Sequence, residues 1–165
     1  MKEMQKLQRV TVRLEVEEPI LVDHSFHSPE KAAAFFQEKI GNMDREYLAI
    51  VCLDNIGHPT TYSVASIGGL NKTIFSPREL IKTAILSNAS GIIIAHNHPS
   101  GSLDASLQDQ QATRNLHKIT KLLDISLLDH IIVTYREDEY YSFAEHGELM
   151  EKEDMLFDAL KEIKL

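Results

Sequence analysis

The run Gly91-Ile92-Ile93-Ile94-Ala95-His96-Asn97-His98-Pro99-Ser100-Gly101 constrains this chain more than any other segment. A short apolar, β-branched stretch behind a glycine predicts a buried strand, and two histidines ride on its end. Side chains alternate faces along a strand, so His96 and His98 point to one side and Asn97 to the other. Pro99 stops the ladder and Ser100-Gly101 turns the chain. From Ser106 to Leu123 apolar residues recur at helical spacing (Leu107, Leu116, Ile119, Leu122, Leu123), with Asp109 in the first turn of the expected helix. Strand end, loop and helix start thus bring two imidazoles and a carboxylate together.

Three such ligands suit zinc, which takes nitrogen, oxygen or sulfur donors in a tetrahedron and keeps one position open in catalytic sites. A water at that position has its pKa drawn from about 15.7 to about 7, which supplies hydroxide at neutral pH. Ser106, three residues before Asp109, is placed to aim a hydroxyl at the oxyanion formed on a carbonyl under attack. The same four residues, Ser106-Leu107-Gln108-Asp109, also fit a Ser-x-x-acidic capping box, and taken alone that reading is the simpler one. A lone His-x-His is likewise often only part of a turn. The conjunction of strand end, loop and helix start favours a metal site.

His-x-His, seven residues, Ser, two residues, Asp resembles the JAMM signature of the JAB/MPN metalloprotease domains, read here as His96, His98, Ser106 and Asp109. The wording Ile94 to Gly101, with Ser76-Pro77-Arg78-Glu79 upstream and Leu127-Leu128-Asp129-His130 downstream, resembles the RadC-type branch over about residues 44 to 143. The resemblance implies a JAB/MPN (cytidine-deaminase-like) fold and a peptide or isopeptide hydrolase, with His96, His98 and Asp109 on Zn2+. It also implies Glu46 as general acid/base and Ser106 at the oxyanion. Two departures stand out. Ala105 replaces the proline usual before the motif serine, and residues 1 to 45 do not match the N-terminal helix-hairpin-helix segment of full-length RadC proteins.

Charge agrees with the second departure. With 17 Lys+Arg against 25 Asp+Glu the net charge is −8, and no basic run stands out to neutralise phosphates, so direct nucleic-acid binding is not expected. At 165 residues and 43% hydrophobic, one domain spanning 1–165 should bury about 70% of its unfolded surface without disulfides. The single cysteine, Cys52, reads as a small core residue. With no apolar run near the roughly 18 residues of a membrane span and no leader pattern, a cytoplasmic protein is expected.

Elsewhere, Val10, Val12, Leu14 and Val16 alternate with polar residues and predict an N-terminal strand; Ser28-Pro29-Glu30 starts a helix over 29–40 that Gly41 stops. The N-terminal strand and helix together occupy about 9–40. Glu46 to Leu53 and Thr60 to Ile67 read as a hairpin about Asp54-Asn55-Ile56-Gly57. Ser76-Pro77-Arg78-Glu79 gives both a capping box and proline at N1 for a helix reaching Asn88. His130 to Tyr135 and Tyr140 to Phe143 are the last strands. Alternating elements make an α/β fold, a mixed β-sheet flanked by helices. About 149–165 is an amphipathic tail helix with Met155, Leu156, Ala159, Leu160 and Ile163 on one face. It packs on its own domain in the first reading, binds a partner in the second, and is exchanged within a homodimer in the third.

Among the other histidines only His130 stands out, as a structural residue or an outer partner of a ligand. The zinc deaminases need His-x-Glu and a Pro-Cys-x-x-Cys pair, which one cysteine excludes. The rival functions are a non-catalytic MPN interaction scaffold and a DNA-repair-associated accessory protein acting through partners.

Overall fold

The computed structural model describes residues 7–22, 26, 28–69 and 75–150. Its centre is β3 (Gly91–Asn97), every residue of which is buried. A strand with no exposed face needs cover on both sides, and the flanking elements supply it. The sheet runs β2 (Pro59–Ile67), β1 (Tyr47–Leu53), β3, β4 (Ser126–Val133), β5 (Tyr140–Ser142). β1 pairs antiparallel with β2 and β3, whereas β3 and β4 are parallel, so the sheet is mixed as expected.

One face carries Ala49, Val51, Leu53, Ile93, Ala95, Ile131 and Val133 beneath α1 (Pro29–Phe36). The other carries Leu48, Ile50, Cys52, Ile92, Ile94 and Leu127 beneath α2 (Pro77–Leu86) and α3 (Leu107–Leu122). The α/β expectation therefore stands, with one helix on one face and two on the other. Parallel β3 and β4 need a crossover, and α3 provides it. Cys52 is fully buried in β1, and burial pushes its thiol above the usual range, which suits an inert core residue. Among the described residues no helix is long and apolar enough to cross a membrane.

Several local expectations need correction. The N-terminal strand does not form: no part of 7–22 is assigned to a strand, and Val10 and Val16 are 72% and 85% exposed. Period-two alternation selects a strand only where a neighbour accepts its backbone hydrogen bonds, and among the described residues none does. The first helix is α-helical only to Phe36 and widens into a π-helical turn, Gln37–Gly41. Gly41 does end it, through close approach to the backbone just past β4: a Cβ there would lie 2.7 Å from the Thr134 carbonyl oxygen. Ser28 caps α1 by accepting from the Lys31 amide, but Ser76 makes no side-chain cap on α2, where the Glu79 carboxylate pairs with Lys82 instead. α2 stops at Leu86, two residues before Asn88 takes a left-handed conformation. β4 starts earlier than expected, at Ser126, and ends at Val133; β5 stops at Ser142.

α3 is rotated relative to its expected apolar stripe. Leu107 and Leu122 are 81% and 86% exposed, and the buried positions are Thr113, Leu116 and Thr120. With Asp109, these residues follow the i, i+4, i+7, i+11 repeat of a single helix face, so the polar start of that face fixes the helix's roll. The expected tail helix lies outside the described residues, apart from positions 149 and 150.

Gly41→Ala should destabilise the protein by about 1–3 kcal/mol, because its methyl must displace backbone, which yields far less readily than a side chain. Thermal unfolding beside the exposed control Gly69→Ala, whose Cβ meets nothing within 4 Å, checks this.

Candidate metal centre

β3 delivers His96 at its buried end, 6% exposed, on the face covered by α2 and α3. His98 follows two residues later, its amide donating to the Val133 carbonyl and so extending the β3–β4 alignment past the last paired residue. Gly101 turns the chain back at φ +79, and a Cβ there would meet the Tyr135 ring at 2.9 Å; glycine is required on both counts. The turn returns the chain to Ser106, the N-cap of α3.

The His-x-His-x7-Ser-x2-Asp residues converge as expected. His96 Nε2 and His98 Nε2 are 3.0 Å apart, and Asp109 places Oδ1 3.6 Å from the first and Oδ2 3.9 Å from the second. An edge of a zinc tetrahedron with bonds near 2.05 Å measures about 3.3 Å, and the 3.0 Å and 3.6 Å separations from His96 Nε2 to His98 Nε2 and Asp109 Oδ1 bracket it. Together the three residues are compatible with a metal ion.

The capping-box reading of Ser106 and Asp109 is realised, and Asp109 keeps a carboxylate oxygen facing His96. Ser106 Oγ accepts from the Asp109 amide, and Asp109 Oδ2 accepts from the Ser106 amide at 2.9 Å and the Ser106 hydroxyl at 2.6 Å. The capping box therefore holds Oδ2, while Oδ1 faces His96. It also means that the exposed Ser106 hydroxyl spends its proton on Asp109 in this arrangement.

Hydrogen-bond partners show which ring nitrogens are bare. His98 Nδ1 lies 2.8 Å from the Ser102 carbonyl, which can only accept, so Nδ1 carries a proton and, in the neutral ring, Nε2 is the lone pair. His96 Nδ1 lies 2.7 Å from His130 Nε2, and His130 Nδ1 lies 2.6 Å from Thr113 Oγ1. His130 is fully buried in β4 and stacks on Phe143 with centroids 4.6 Å apart. Its neighbour Asp129 accepts from Ser142 Oγ, the Ala144 amide and the His130 amide, fixing the turn that carries Phe143. Burial raises the Asp129 carboxyl despite these bonds.

Burial drives the His96 pKa down to about 4, opposed by Asp109 and reinforced by His98, and burial also holds His130 well below its usual value. Both are therefore neutral at pH 7, the form that ligates metal.

Glu46 is exposed and lies outside this cluster, immediately before β1. Leu48 pairs with His96, so the antiparallel register carried two residues further sets Glu46 opposite His98. Its loop is pinned by Asn97, which the sequence reading treated only as pointing away. Asn97 is fully buried; Oδ1 accepts from the Tyr47 amide at 2.6 Å, and Nδ2 donates to the Arg45 carbonyl at 3.0 Å. The Glu46 carbonyl accepts from Gly68. Sequence reasoning also passed over Thr113. The available signal was its position four residues after Asp109, on the same helical face.

A mixed α/β sheet with a His-His-Asp cluster at a strand end is the architecture of a JAB domain. The RadC-like JAB domain model matches residues 26–148, and the chain belongs to that family. The UPF0758 proteins of Histophilus somni strains 2336 and 129Pt are each 38% identical over 122 residues, covering 74% of this chain and 54% of theirs. The chain thus spans about half the length of these curated relatives.

The His96 shift gives a pH dependence with a definite sign. Its folded pKa lies below the unfolded 6.5, so the unfolded state takes up the proton first as pH falls. Metal-free protein should lose stability between about pH 6.5 and 4, by about 3 kcal/mol from His96 alone. Denaturant unfolding across that range measures it, and His96→Phe should flatten the slope.

Proposed function

We propose that this chain is a zinc-dependent hydrolase of peptide or isopeptide bonds. One observation carries the reading: His96 Nε2 and His98 Nε2 face each other at 3.0 Å, bare where both rings are Nδ1–H tautomers, with a carboxylate oxygen 3.6 Å from the first. Two lone pairs repel at that distance, and a cation among them converts the repulsion into ligation. Nitrogen and oxygen donors in a set of three suit zinc and leave a position for water. Zinc, when held by His96, His98 and Asp109, acidifies a water and polarises a carbonyl.

The remaining chemistry belongs to the chain's own residues. Glu46, opposite His98 and pinned through Asn97, takes the proton of the attacking water and returns it to the leaving amine. Ser106 rotates its hydroxyl from Asp109 Oδ2 toward the oxyanion, while its amide keeps the cap. The substrate is a peptide or protein, and the net charge of −8 favours no role for direct nucleic-acid contact. A DNA-repair accessory role of the kind associated with RadC relatives would act through partners.

Elemental analysis of protein purified without added metal should give about one zinc per chain, and His96→Ala/His98→Ala none. Wild-type protein that stays free of metal after incubation with zinc overturns the reading. Glu46→Gln should keep the zinc and lower cleavage of a randomised peptide library, read by mass spectrometry, by at least about 100-fold. Full activity in that variant removes Glu46 from the mechanism.

A further inference from the structure

We infer that Thr113 and His130 are positioning residues that set the tautomer of His96, keeping its Nε2 bare for the metal. Thr113 Oγ1 lies 2.6 Å from the Asp109 carbonyl oxygen as well as 2.6 Å from His130 Nδ1. The hydroxyl has one proton and the carbonyl has none, so the short contact to Asp109 exists only if that proton points there. His130 Nδ1 must then donate to Thr113 Oγ1, which leaves His130 Nε2 as an acceptor. At 2.7 Å from it, His96 Nδ1 must donate. His96 Nε2 is then left with its lone pair.

The opposite arrangement is the harmful one. With its proton on Nε2, His130 would push the His96 proton to the Nε2 that faces His98 and Asp109, and the site would lose a ligand. His98 runs no such risk, because its Nδ1 donates straight to the Ser102 carbonyl. A histidine acceptor is ambiguous where a carbonyl is not, and Thr113 removes the ambiguity. The bonds form a closed circuit: the Asp109 backbone fixes Thr113, Thr113 fixes His130, His130 fixes His96, and His96 Nε2 faces the Asp109 carboxylate.

The inference deepens the zinc reading and rests on it for its consequence, though the tautomers themselves are a property of the metal-free protein. Two measurements test it. In long-range proton–nitrogen NMR spectra of metal-free, 15N-labelled wild type near pH 7, His96 and His130 should both appear as Nδ1–H tautomers. A proton on Nε2 of His130 overturns the inference. In chelator competition, Thr113→Val, which keeps the shape and removes the hydroxyl, should bind zinc about 10–100-fold more weakly than wild type. Thr113→Ser, which restores the hydroxyl and lacks the methyl, should return to within about twofold. Wild-type affinity in Thr113→Val, or equal weakness in both variants, overturns the role. Should the wild type take no zinc at all, the hydrolase reading falls, and the NMR spectrum of the same sample still decides the tautomers.

Discussion

Everything else in this fold answers to a strand buried on both faces that ends in polar side chains. From Gly91 to Ala95 the strand needs only apolar cover, which α1 supplies on one side and α2 and α3 on the other. At His96 and Asn97 the requirement changes, because a buried polar group without a partner costs about 1–3 kcal/mol. Asn97 solves this on the α1 side by bonding the loop before β1. His96 solves it on the other side through His130 and Thr113. The two solutions face opposite ways and together assemble the site: one pins the stretch that holds Glu46, the other orients a ligand.

Much of this was legible in the sequence, for identifiable reasons. The β-branched run behind Gly91 and the His-Asn-His after it place two histidines on one side, because alternation in a strand is rigid geometry. Ser28 and Pro29 mark a helix start whose hydrogen bond forms as read. What failed were local patterns whose outcome depends on distant partners. Val10, Val12, Leu14 and Val16 alternate without a neighbouring strand to pair with among the described residues. Leu107 and Leu122 look like core but face out, since the roll of α3 is set by Asp109, Thr113, Leu116 and Thr120. Thr113 carries no signal as a residue type, and its importance comes from contact with a histidine 17 residues away.

Ser106 and Asp109 show that a capping box leaves room for a second contact. A carboxylate has two oxygens, and the capping box uses one of them. The chain covers only about half of its curated relatives, and His96, His98 and Asp109 all lie within the residues 26–148 that match the family.

The shared carboxylate ties ligand geometry to the folding of a crossover. Asp109 holds its orientation only while the first turn of α3 is wound, since both bonds from Ser106 and the amide bond back to it belong to that turn. Fraying of that single turn would therefore displace the carboxylate and, through Thr113 and His130, loosen the hold on His96 as well. Local unwinding at this end, a motion of low free-energy cost in most helices, would open the His96, His98 and Asp109 cluster as one unit.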